Sequence, residues 1–388
     1  MTLSSKQQAD FSKRGFTRRN FGRIATLLGA GATLPFYSEH ALAQLSMVKD
    51  LPPDAVKINA NENPLGPCQE SAEAIHKIIS NGGRYMYETT FEMAETLAEV
   101  EGLKFSYDPK NSHVAAFAGS SDPLHRMVLA YCSKDKPFVV ADPGYEAGGR
   151  AAEYVGAQVI KVPLKGADKA HDVKAMVAAH PTPGIIYICN PNNPTGTVTS
   201  REDIEWAVAN QPKGSIVLLD EAYVHFANKT QRNAQLVAAD KNVVILRTFS
   251  KLYGMAGLRA GAALGRPDLL AGMHQFTAGA LPITAMVGAT AGLKAKGLIE
   301  KRKAYMVGVR EDTFDFLSKN NIEFLPSDAN MFMMNVKRPG KEFYSAMAKE
   351  KVYIGRVWPV WPTWVRVSVG TREEMAKFKQ ACVKCYTA

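Results

Sequence analysis

Two isolated cations follow a β-rich run in the middle of this 388-residue sequence. In RTFSKLYGMAGLRAG (247–261), Lys251 comes directly after Ser250, and Arg259 follows eight residues after the lysine. The stretch contains no Asp or Glu, so neither cation has a local partner. A lysine amine kept neutral by burial can act as a nucleophile or a base, and an arginine suits a phosphate. The stretch therefore indicates amine chemistry beside an anionic group.

Other polar and aromatic residues follow further β-rich runs. Ligands of open α/β sheets bind at the carboxyl ends of the strands, so these residues are expected to meet. They offer an anion-binding cluster, an aromatic ring, an amide, a carboxylate, a phenol and an amine. In that order they are Gly119-Ser120-Ser121-Asp122, Tyr145, Asn193 within NPNNPTG, Asp220, Tyr223 and Lys251.

One cofactor uses all of these groups. Pyridoxal phosphate needs a lysine for its Schiff base, an acid beside its pyridine nitrogen, donors for its phosphate and a flat partner for its ring. Taken singly, Asp220 could cap a helix, Asn-Pro-Thr-Gly could be a turn, and Arg366 could form a surface ion pair. Their joint order along the chain favours the cofactor.

The order of these motifs resembles that of a known family. NPNNPTG, then DEAY (220–223), then SK with an arginine eight residues later, resembles the class I/II aminotransferases of the aspartate-aminotransferase fold. INANENPLGP (58–67) and VRVSVGTREE (365–374) look like histidinol-phosphate aminotransferases and their relatives. The resemblance covers about residues 54–386. It implies a transaminase that moves an amino group from an amino acid to a 2-oxo acid with ping-pong kinetics.

The resemblance also implies a role for each site residue. Lys251 would form the Schiff base and carry the proton, Asp220 would pair with the pyridine nitrogen, and Tyr145 would stack on the ring. Tyr223 and Asn193 would bond the phenolic oxygen of the ring. The phosphate would be held by Ser120, Ser121, Ser250, Arg259 and, from a neighbouring subunit of a homodimer, Tyr85. The substrate would meet Asn61, Arg356 and Arg366, of which Arg366 takes the α-carboxylate; no metal is expected.

The stretch GRVWPVWPTWVRV (355–367) departs from the usual family pattern. Trp358, Trp361 and Trp364 recur every three residues with prolines between them, which predicts a polyproline II segment with its indoles on one face. Arg356 resembles the position that grips the substrate phosphate in histidinol-phosphate aminotransferases. We hypothesise that the segment, Trp364 included, closes over an aromatic or bulky apolar substrate side chain. The alternative is that the indoles only pack on the smaller domain.

Seven apolar runs would position these residues. Continuous apolar runs are typical of strands covered on both faces, as in a helix-flanked, mostly parallel sheet. The runs are HVAAFAG (113–119), PFVVAD (137–142), AQVIKVPL (157–164), GIIYICN (184–190), SIVLLD (215–220), NVVILRT (242–248) and RAGAALG (259–265). Amphipathic stretches at 145–156 and 201–210 lie between them and predict an α/β architecture.

The rhythm changes after about residue 283. A long helix is predicted over 298–320, and another after Thr371. The strands predicted here are NIEFLP (321–326), NMFMMNV (330–336) and WVRVSV (364–369). The expected fold is aspartate-aminotransferase-like (fold type I of pyridoxal-phosphate enzymes). Its expected parts are a signal peptide (1–43), an N-terminal segment packed with the small domain (44–81), a large cofactor-binding domain (82–283) and a small α+β domain (284–388).

The N-terminal residues predict export. TRRNFGRIATLLGAGATLPFYSEHALAQ (17–44) has a basic start, a short apolar run and Ala41-Leu42-Ala43 before Gln44, the order of a secretory signal. The Thr-Arg-Arg-Asn-Phe core resembles a twin-arginine signal. The apolar run is too short to anchor the chain in a membrane. We therefore expect a periplasmic or secreted protein cleaved near Ala43-Gln44; the alternative is a disordered basic tail.

The net charge limits the kinds of ligand that the chain can be expected to bind, and the number of cysteines limits their pairing. The formal net charge is +10, and six basic and two acidic residues lie within the first 43 positions. The remaining mild excess fits an anionic ligand, and the lack of long basic runs argues against nucleic acid. Five cysteines rule out a complete set of internal pairs. The CxxC at Cys382 and Cys385 is interpreted as two buried or half-exposed thiols rather than a redox or metal site.

Several functions stay open at this point. Histidine biosynthesis is cytoplasmic, so an exported member of the family is expected to use another amino donor, with histidinol phosphate as the second candidate. The same fold hosts pyridoxal-phosphate decarboxylases and lyases, and fold does not determine reaction type. Arg366 favours transamination, because a held carboxylate resists loss. A non-catalytic binding module is the third alternative.

Overall fold

A computed structural model describes residues 51–276 and 279–386. These residues belong to one compact unit that spans Lys49–Ala388. The predicted twin-arginine signal and its cleavage site lie outside the described residues. The expected boundaries at residues 82 and 284 also stay predictions.

The strands form three sheets. They are β1 (Val56–Ile58), β2 (Val114–Phe117), β3 (Phe138–Asp142), β4 (Val159–Pro163), β5 (Ile185–Cys189), β6 (Ile216–Asp220), β7 (Val243–Thr248), β8 (Gly261–Gly265), β9 (Met331–Asn335), β10 (Val352–Ile354), β11 (Val357–Trp358) and β12 (Trp361–Ser368). The largest sheet has the order β2-β8-β7-β6-β5-β3-β4. Strand β8 is antiparallel to both neighbours, and the other pairs are parallel. All seven strands of this sheet match the predicted runs, and the predicted fold class is confirmed.

The seven-stranded sheet is buried on both faces. Successive residues of β6 point to opposite faces, as in any strand. Leu218 packs into one hydrophobic core, whereas Val217 and Leu219 pack into another. This two-sided burial explains why the strands appear in the sequence as continuous apolar runs rather than as alternating patterns.

The helices surround this sheet and the smaller ones. They are α1 (Gln69–Ile78), α2 (Glu88–Glu101), α3 (Ser121–Tyr131), α4 (Ala147–Tyr154), α5 (Val173–Ala178), α6 (Arg201–Asn210), α7 (Ala234–Ala238), α8 (Pro267–His274), α9 (Ile283–Lys294), α10 (Leu298–Lys319), α11 (Gly340–Lys349) and α12 (Arg372–Tyr386). The four predicted helices correspond to α4, α6, α10 and α12. Helix α6 begins where Ser200 Oγ accepts a hydrogen bond from the Asp203 N–H (3.1 Å).

Two predictions for the C-terminal part are wrong. NIEFLP forms no strand, and only Phe324 makes an isolated bridge, to Met334. Its last residue, Pro326, has no N–H to donate to a ladder. The Trp-Pro stretch is not polyproline II but the hairpin β11–β12, in which Trp358 pairs with Trp361. Backbone hydrogen bonds to β9, where Trp364 pairs with Asn335, prevail over the local three-residue spacing.

The cysteines are all free and buried. Burial raises the pKa of Cys382 to about 12, so this thiol is unreactive at neutral pH. This agrees with the interpretation of the CxxC pair as buried thiols. Within residues 51–276 and 279–386, no cluster of three or more His, Cys, Asp or Glu could bind a metal ion. No helix in the same ranges has both the length and the apolar character that crossing a membrane requires.

Candidate active site

The direction of β8 brings the two isolated cations to one edge of the sheet. Lys251 follows β7, and Arg259 precedes β8. Because β8 runs antiparallel to β7, its first residue, Gly261, pairs with the last residue of β7, Thr248. Both cations therefore lie at the edge where the parallel strands end, as the strand-end argument predicts.

Arg259 forms one side of an anion-binding corner. Its Nη1 donates to Ser250 Oγ (3.3 Å). A Cβ on Gly119 would lie 2.3 Å from Arg259 Nη2, and Gly119 has φ +83°, so this position requires glycine. Ser120 and Ser121 come next and begin the 11-residue helix α3. A guanidinium, hydroxyl groups and a helix N-terminus thus converge, which is the donor set a phosphate needs.

Asp220 ends β6 and is 3% exposed. Its Oδ2 accepts a hydrogen bond from the Tyr187 hydroxyl (2.8 Å), and its Oδ1 accepts one from the Ala222 N–H (3.1 Å). Two donors on a buried carboxylate favour its charged form. Burial, followed by the charge of Asp220, raises the pKa of Tyr187 well above its ordinary value, so this phenol stays a donor. The buried carboxylate is therefore suited to a protonated pyridine nitrogen.

Tyr187 is a residue that sequence reasoning missed. It lies inside the apolar run of β5, where the sequence pattern does not distinguish a tyrosine from the other core residues. The available signal was its position two residues before Cys189 in the strand beside β6, where Tyr187 pairs with Leu218, two residues before Asp220. Alternation then places Tyr187 on the same face of the sheet as Asp220.

Lys251 lies close to Tyr223. The Lys251 Nζ is 5.7 Å from the centroid of the Tyr223 ring. The Tyr223 hydroxyl accepts a hydrogen bond from Asn61 Nδ2 (3.1 Å), and burial raises the pKa of Tyr223 above its usual range. Ser368 holds Asn61 in place, because its Oγ donates to Asn61 Oδ1 (3.0 Å) and accepts from the Asn61 N–H (2.8 Å). The neutral phenol of Tyr223, bonded to the Asn61 amide, therefore lies close to the Lys251 amine.

Arg366 is buried at the substrate side of the site. Its Nη1 donates to Asn193 Oδ1 (2.9 Å) and its Nη2 to the Asn59 carbonyl (2.7 Å). Its Nε is buried without a hydrogen-bond partner among the described residues. Burial and the neighbouring Arg356 cation lower the pKa of Arg366 to about 10. A buried cation with an unused donor is well suited to a carboxylate.

Trp358 lies between the two substrate arginines. The Cζ of Arg356 is 4.2 Å from the centroid of its indole, and the Cζ of Arg366 is 5.5 Å away. Its Nε1 donates to the Gly144 carbonyl (3.2 Å), directly before Tyr145. The sequence hypothesis chose Trp364 from this stretch and passed over Trp358. The pairing of β11 with β12 changes register between Val357 and Trp358, an irregularity that the local sequence does not signal.

The other two indoles pack beside Trp358. Trp361 and Trp364 have ring centroids 5.7 Å apart and contact a cluster formed by Leu325, Met333 and Trp358. Strand alternation places Trp364 on the same face of β12 as Arg366. The indoles of Trp361 and Trp364 therefore pack on the C-terminal part of the chain beside the buried Trp358.

Three further predicted site residues have the following surroundings, and their predicted roles stay predictions. Arg356 is paired, since its Nη2 lies 2.5 Å from Glu146 Oε2. Tyr85 lies on the surface, is 71% exposed and stacks on Tyr87 with ring centroids 5.7 Å apart. Its exposure fits the expectation that it serves a neighbouring subunit. Tyr145 follows β3 and packs, partly buried, against the core.

The arrangement fits pyridoxal phosphate. The Gly119–Arg259 corner would hold its phosphate, Asp220 its pyridine nitrogen and Tyr223 its phenolic oxygen, with Lys251 as the residue of covalent attachment. The fit depends on observed features, namely the space left by the missing Cβ of Gly119 and the two donors on the buried Asp220.

Known proteins share this sequence and fold. Residues 53–381 match the family described as aminotransferase class I and II. The chain is 33% identical over 335 residues to histidinol-phosphate aminotransferase 1 of Nitrosococcus oceani, covering 84% of this chain and 87% of that protein. It is 31% identical over 328 residues to the aromatic amino acid aminotransferase of Rhodococcus jostii, covering 84% and 89%. The crystal structure of histidinol-phosphate aminotransferase from Sinorhizobium meliloti in complex with pyridoxal-5'-phosphate has a TM-score of 0.79 at 22% identity, covering 92% of this chain and 96% of that chain. The chain therefore belongs to the class I and II aminotransferases, which depend on pyridoxal phosphate.

Proposed function

We propose that this aminotransferase is exported and prefers an amino donor with an aromatic or bulky apolar side chain. The observation that carries the proposal is the indole of Trp358, which is buried 5.5 Å from Arg366. A donor whose α-carboxylate is held at Arg366 has its side chain near the hairpin that carries this indole and the partly buried Trp361 and Trp364. Aromatic side chains gain both buried area and ring contacts in such surroundings.

The chain's own groups explain the transfer. When bound, pyridoxal phosphate supplies an electron sink for the electrons released at the substrate Cα. The Lys251 amine would take the proton from the substrate Cα as a general base and, as a general acid, deliver it to C4′, the aldehyde carbon of the cofactor. Arg366 holds the α-carboxylate throughout, which disfavours decarboxylation and favours transamination.

Histidinol phosphate is the second candidate substrate. Its support comes from relatives such as the Nitrosococcus oceani protein, whose name states that activity. A phosphate in the side chain would need Arg356, however, and that cation is already paired with Glu146. The structure of the pocket wall thus favours an apolar donor.

A donor panel tests this preference. Purified holoenzyme is given phenylalanine, tyrosine, tryptophan, leucine, alanine and histidinol phosphate, with pyruvate or 2-oxoglutarate as acceptor. We expect kcat/KM for the best aromatic donor to exceed that for alanine by about tenfold or more, since burying a ring contributes more than 1.4 kcal/mol. Histidinol phosphate as the best donor would contradict the preference. Release of carbon dioxide without transfer would contradict transamination itself.

A homodimer with shared active sites is proposed as well. The support is a group of exposed aromatic residues, Tyr85, Tyr87, Phe91 and Tyr107. Mixing Tyr85→Ala with Lys251→Ala subunits, each of which is expected to be weakly active alone, should restore activity. In the mixed dimer one site has both an intact lysine and an intact partner tyrosine. No recovery on mixing, although the mixed dimers form, would contradict shared sites.

Export is proposed from the sequence of the N-terminal segment. Arg18 and Arg19 form the twin-arginine pair. The free cysteines of the described ranges are all buried, which suits an oxidising compartment. Replacing both arginines by lysine should keep the protein in the cytoplasm, as cell fractionation would show. Unchanged fractionation of that variant would contradict the twin-arginine route.

A further inference from the structure

The ion pair at the substrate side joins two separate parts of the chain. Glu146 directly precedes α4 and follows Tyr145, whereas Arg356 precedes the β11–β12 hairpin. Glu146 Oε2 lies 2.5 Å from Arg356 Nη2 and 3.6 Å from Arg150 Nη1. The Arg356 and Glu146 side chains remain 25% and 32% exposed. Both side chains are therefore partly accessible, although the oxygen that faces Arg356, Glu146 Oε2, is itself buried.

The surroundings of this pair are cationic and aromatic. Arg356 stacks on Trp358 at 4.2 Å, and Arg366 is 5.5 Å from the same ring. Glu146 thus supplies negative charge to a site wall that carries Arg150, Arg356 and Arg366. Without it, this wall would attract any second anionic group on a substrate.

We propose that Glu146 determines side-chain specificity by occupying Arg356, so that apolar side chains are accepted and anionic ones are refused. The inference rests on the proposed function. An apolar side chain makes no demand on Arg356 and leaves the ion pair intact. A side-chain carboxylate or phosphate must displace Glu146 from Arg356 and then lies beside its negative charge. Specificity of this kind comes from a repulsive element as much as from an attractive one.

The proposal extends to the amino acceptor. In a ping-pong reaction the acceptor uses the same site as the donor. A 2-oxo acid with a second carboxylate meets the same repulsion from Glu146. The enzyme should therefore favour monocarboxylic 2-oxo acids over 2-oxoglutarate.

Binding of two unreactive acids tests the proposal on the holoenzyme. Glutarate carries a second carboxylate, and 3-phenylpropionate carries a ring, so their dissociation constants by calorimetry report the two side-chain classes. In Glu146→Gln we expect glutarate to bind about tenfold more tightly, with 3-phenylpropionate changed less than about twofold. Glu153→Gln removes an exposed charge from the same helix and should change neither constant. Equal changes for both acids, or none for glutarate, would overturn the proposal.

A second variant covers the case in which Glu146→Gln does not fold. Arg356→Gln alone should bind glutarate more weakly than wild type does. Its dissociation constant for 3-phenylpropionate should stay within about twofold of the wild-type value. In Glu146→Gln/Arg356→Gln the tighter glutarate binding should disappear. Tighter binding that persists without Arg356 would contradict the role of the pair. Failure of the wild-type enzyme to transaminate any donor would instead refute the proposed function, because these binding constants do not depend on turnover.

Discussion

The cofactor edge and the substrate hairpin are built by different forces. At the cofactor edge, Asp220, Lys251 and Arg259 come from strands whose order in the sheet is determined by burial and topology. In the substrate hairpin (355–368), Trp358 and Arg366 are positioned by pairing with β9 and by contacts with the loop after β3. The positions of functional residues at strand ends therefore follow from the pattern of apolar runs, whereas the positions of the substrate-side residues depend on long-range packing.

Removing the acid of the cofactor edge has the largest expected effect. Asp220→Asn should lower kcat by about 10²–10³-fold, because a neutral amide no longer stabilises the protonated pyridine nitrogen. Steady-state kinetics with the best donor measures this. Asp240→Asn, at a side chain 68% exposed, serves as the control and should keep wild-type turnover. A loss below about fivefold would show that Asp220 does not act on the cofactor.

Arg366 on the hairpin comes next. Arg366→Gln should lower kcat/KM by about 10²-fold through loss of the α-carboxylate contact, and Arg366→Lys should recover only part. The lowered pKa of Arg366 reflects its burial beside the Arg356 cation, an unfavourable arrangement that a bound carboxylate would relieve. The exposed Arg201→Gln is the matched control. An unchanged KM in Arg366→Gln would place the carboxylate elsewhere.

Buried ion pairs next to the cofactor edge stabilise this part of the fold. Arg247 donates to both carboxylate oxygens of Glu101 (3.1 Å each) and also pairs with Glu221, the neighbour of Asp220. Although burial opposes it, Arg247 lowers the pKa of Glu101 from 4.5 to about 2. A lowered carboxyl pKa contributes stability above pH 4.5 that is lost as pH falls towards 2. The contribution is on the order of 3 kcal/mol.

Urea unfolding between pH 6 and pH 3 measures this contribution. Glu101→Gln should be less stable at pH 6 and should lose less stability than wild type on acidification. Glu92→Gln breaks an exposed pair with Lys294 and should cost less than about 1 kcal/mol. If the free energies of unfolding of wild type and Glu101→Gln fell in parallel with pH, the proposed contribution of Glu101 would be contradicted.

The smallest expected effects separate the indoles of the hairpin. Trp358→Leu should raise KM for aromatic donors about tenfold, because ring contact and buried area are lost, and should change KM for alanine less than twofold. Trp364→Leu should change the aromatic KM by only about twofold to threefold, since this ring lies farther along the strand. Kinetics with phenylalanine and alanine measures both variants. Equal effects of Trp358→Leu on the two donors would indicate that the indole only supports the fold.

The sequence predicted the sheet well and the substrate wall poorly. Lys251 and Arg259 could be placed together because a continuous apolar run precedes the lysine and another follows the arginine. Tyr187 was missed because a tyrosine inside a buried strand has no distinct pattern. The pairing of Arg356 with Glu146 joins residues 210 positions apart, and no local spacing signals such a contact. The hairpin was misinterpreted because prolines at positions 359 and 362 suggest polyproline, whereas pairing with β9 decides the conformation.

The central claim is that Lys251 is the residue to which the cofactor attaches. Borohydride reduction of the holoenzyme, followed by peptide mass spectrometry, tests it most directly. We predict one reduced cofactor adduct per chain, located on Lys251 and absent from Lys251→Ala. A protein that stays colourless when supplied with pyridoxal phosphate and carries no adduct, or an adduct on another lysine, would contradict the claim.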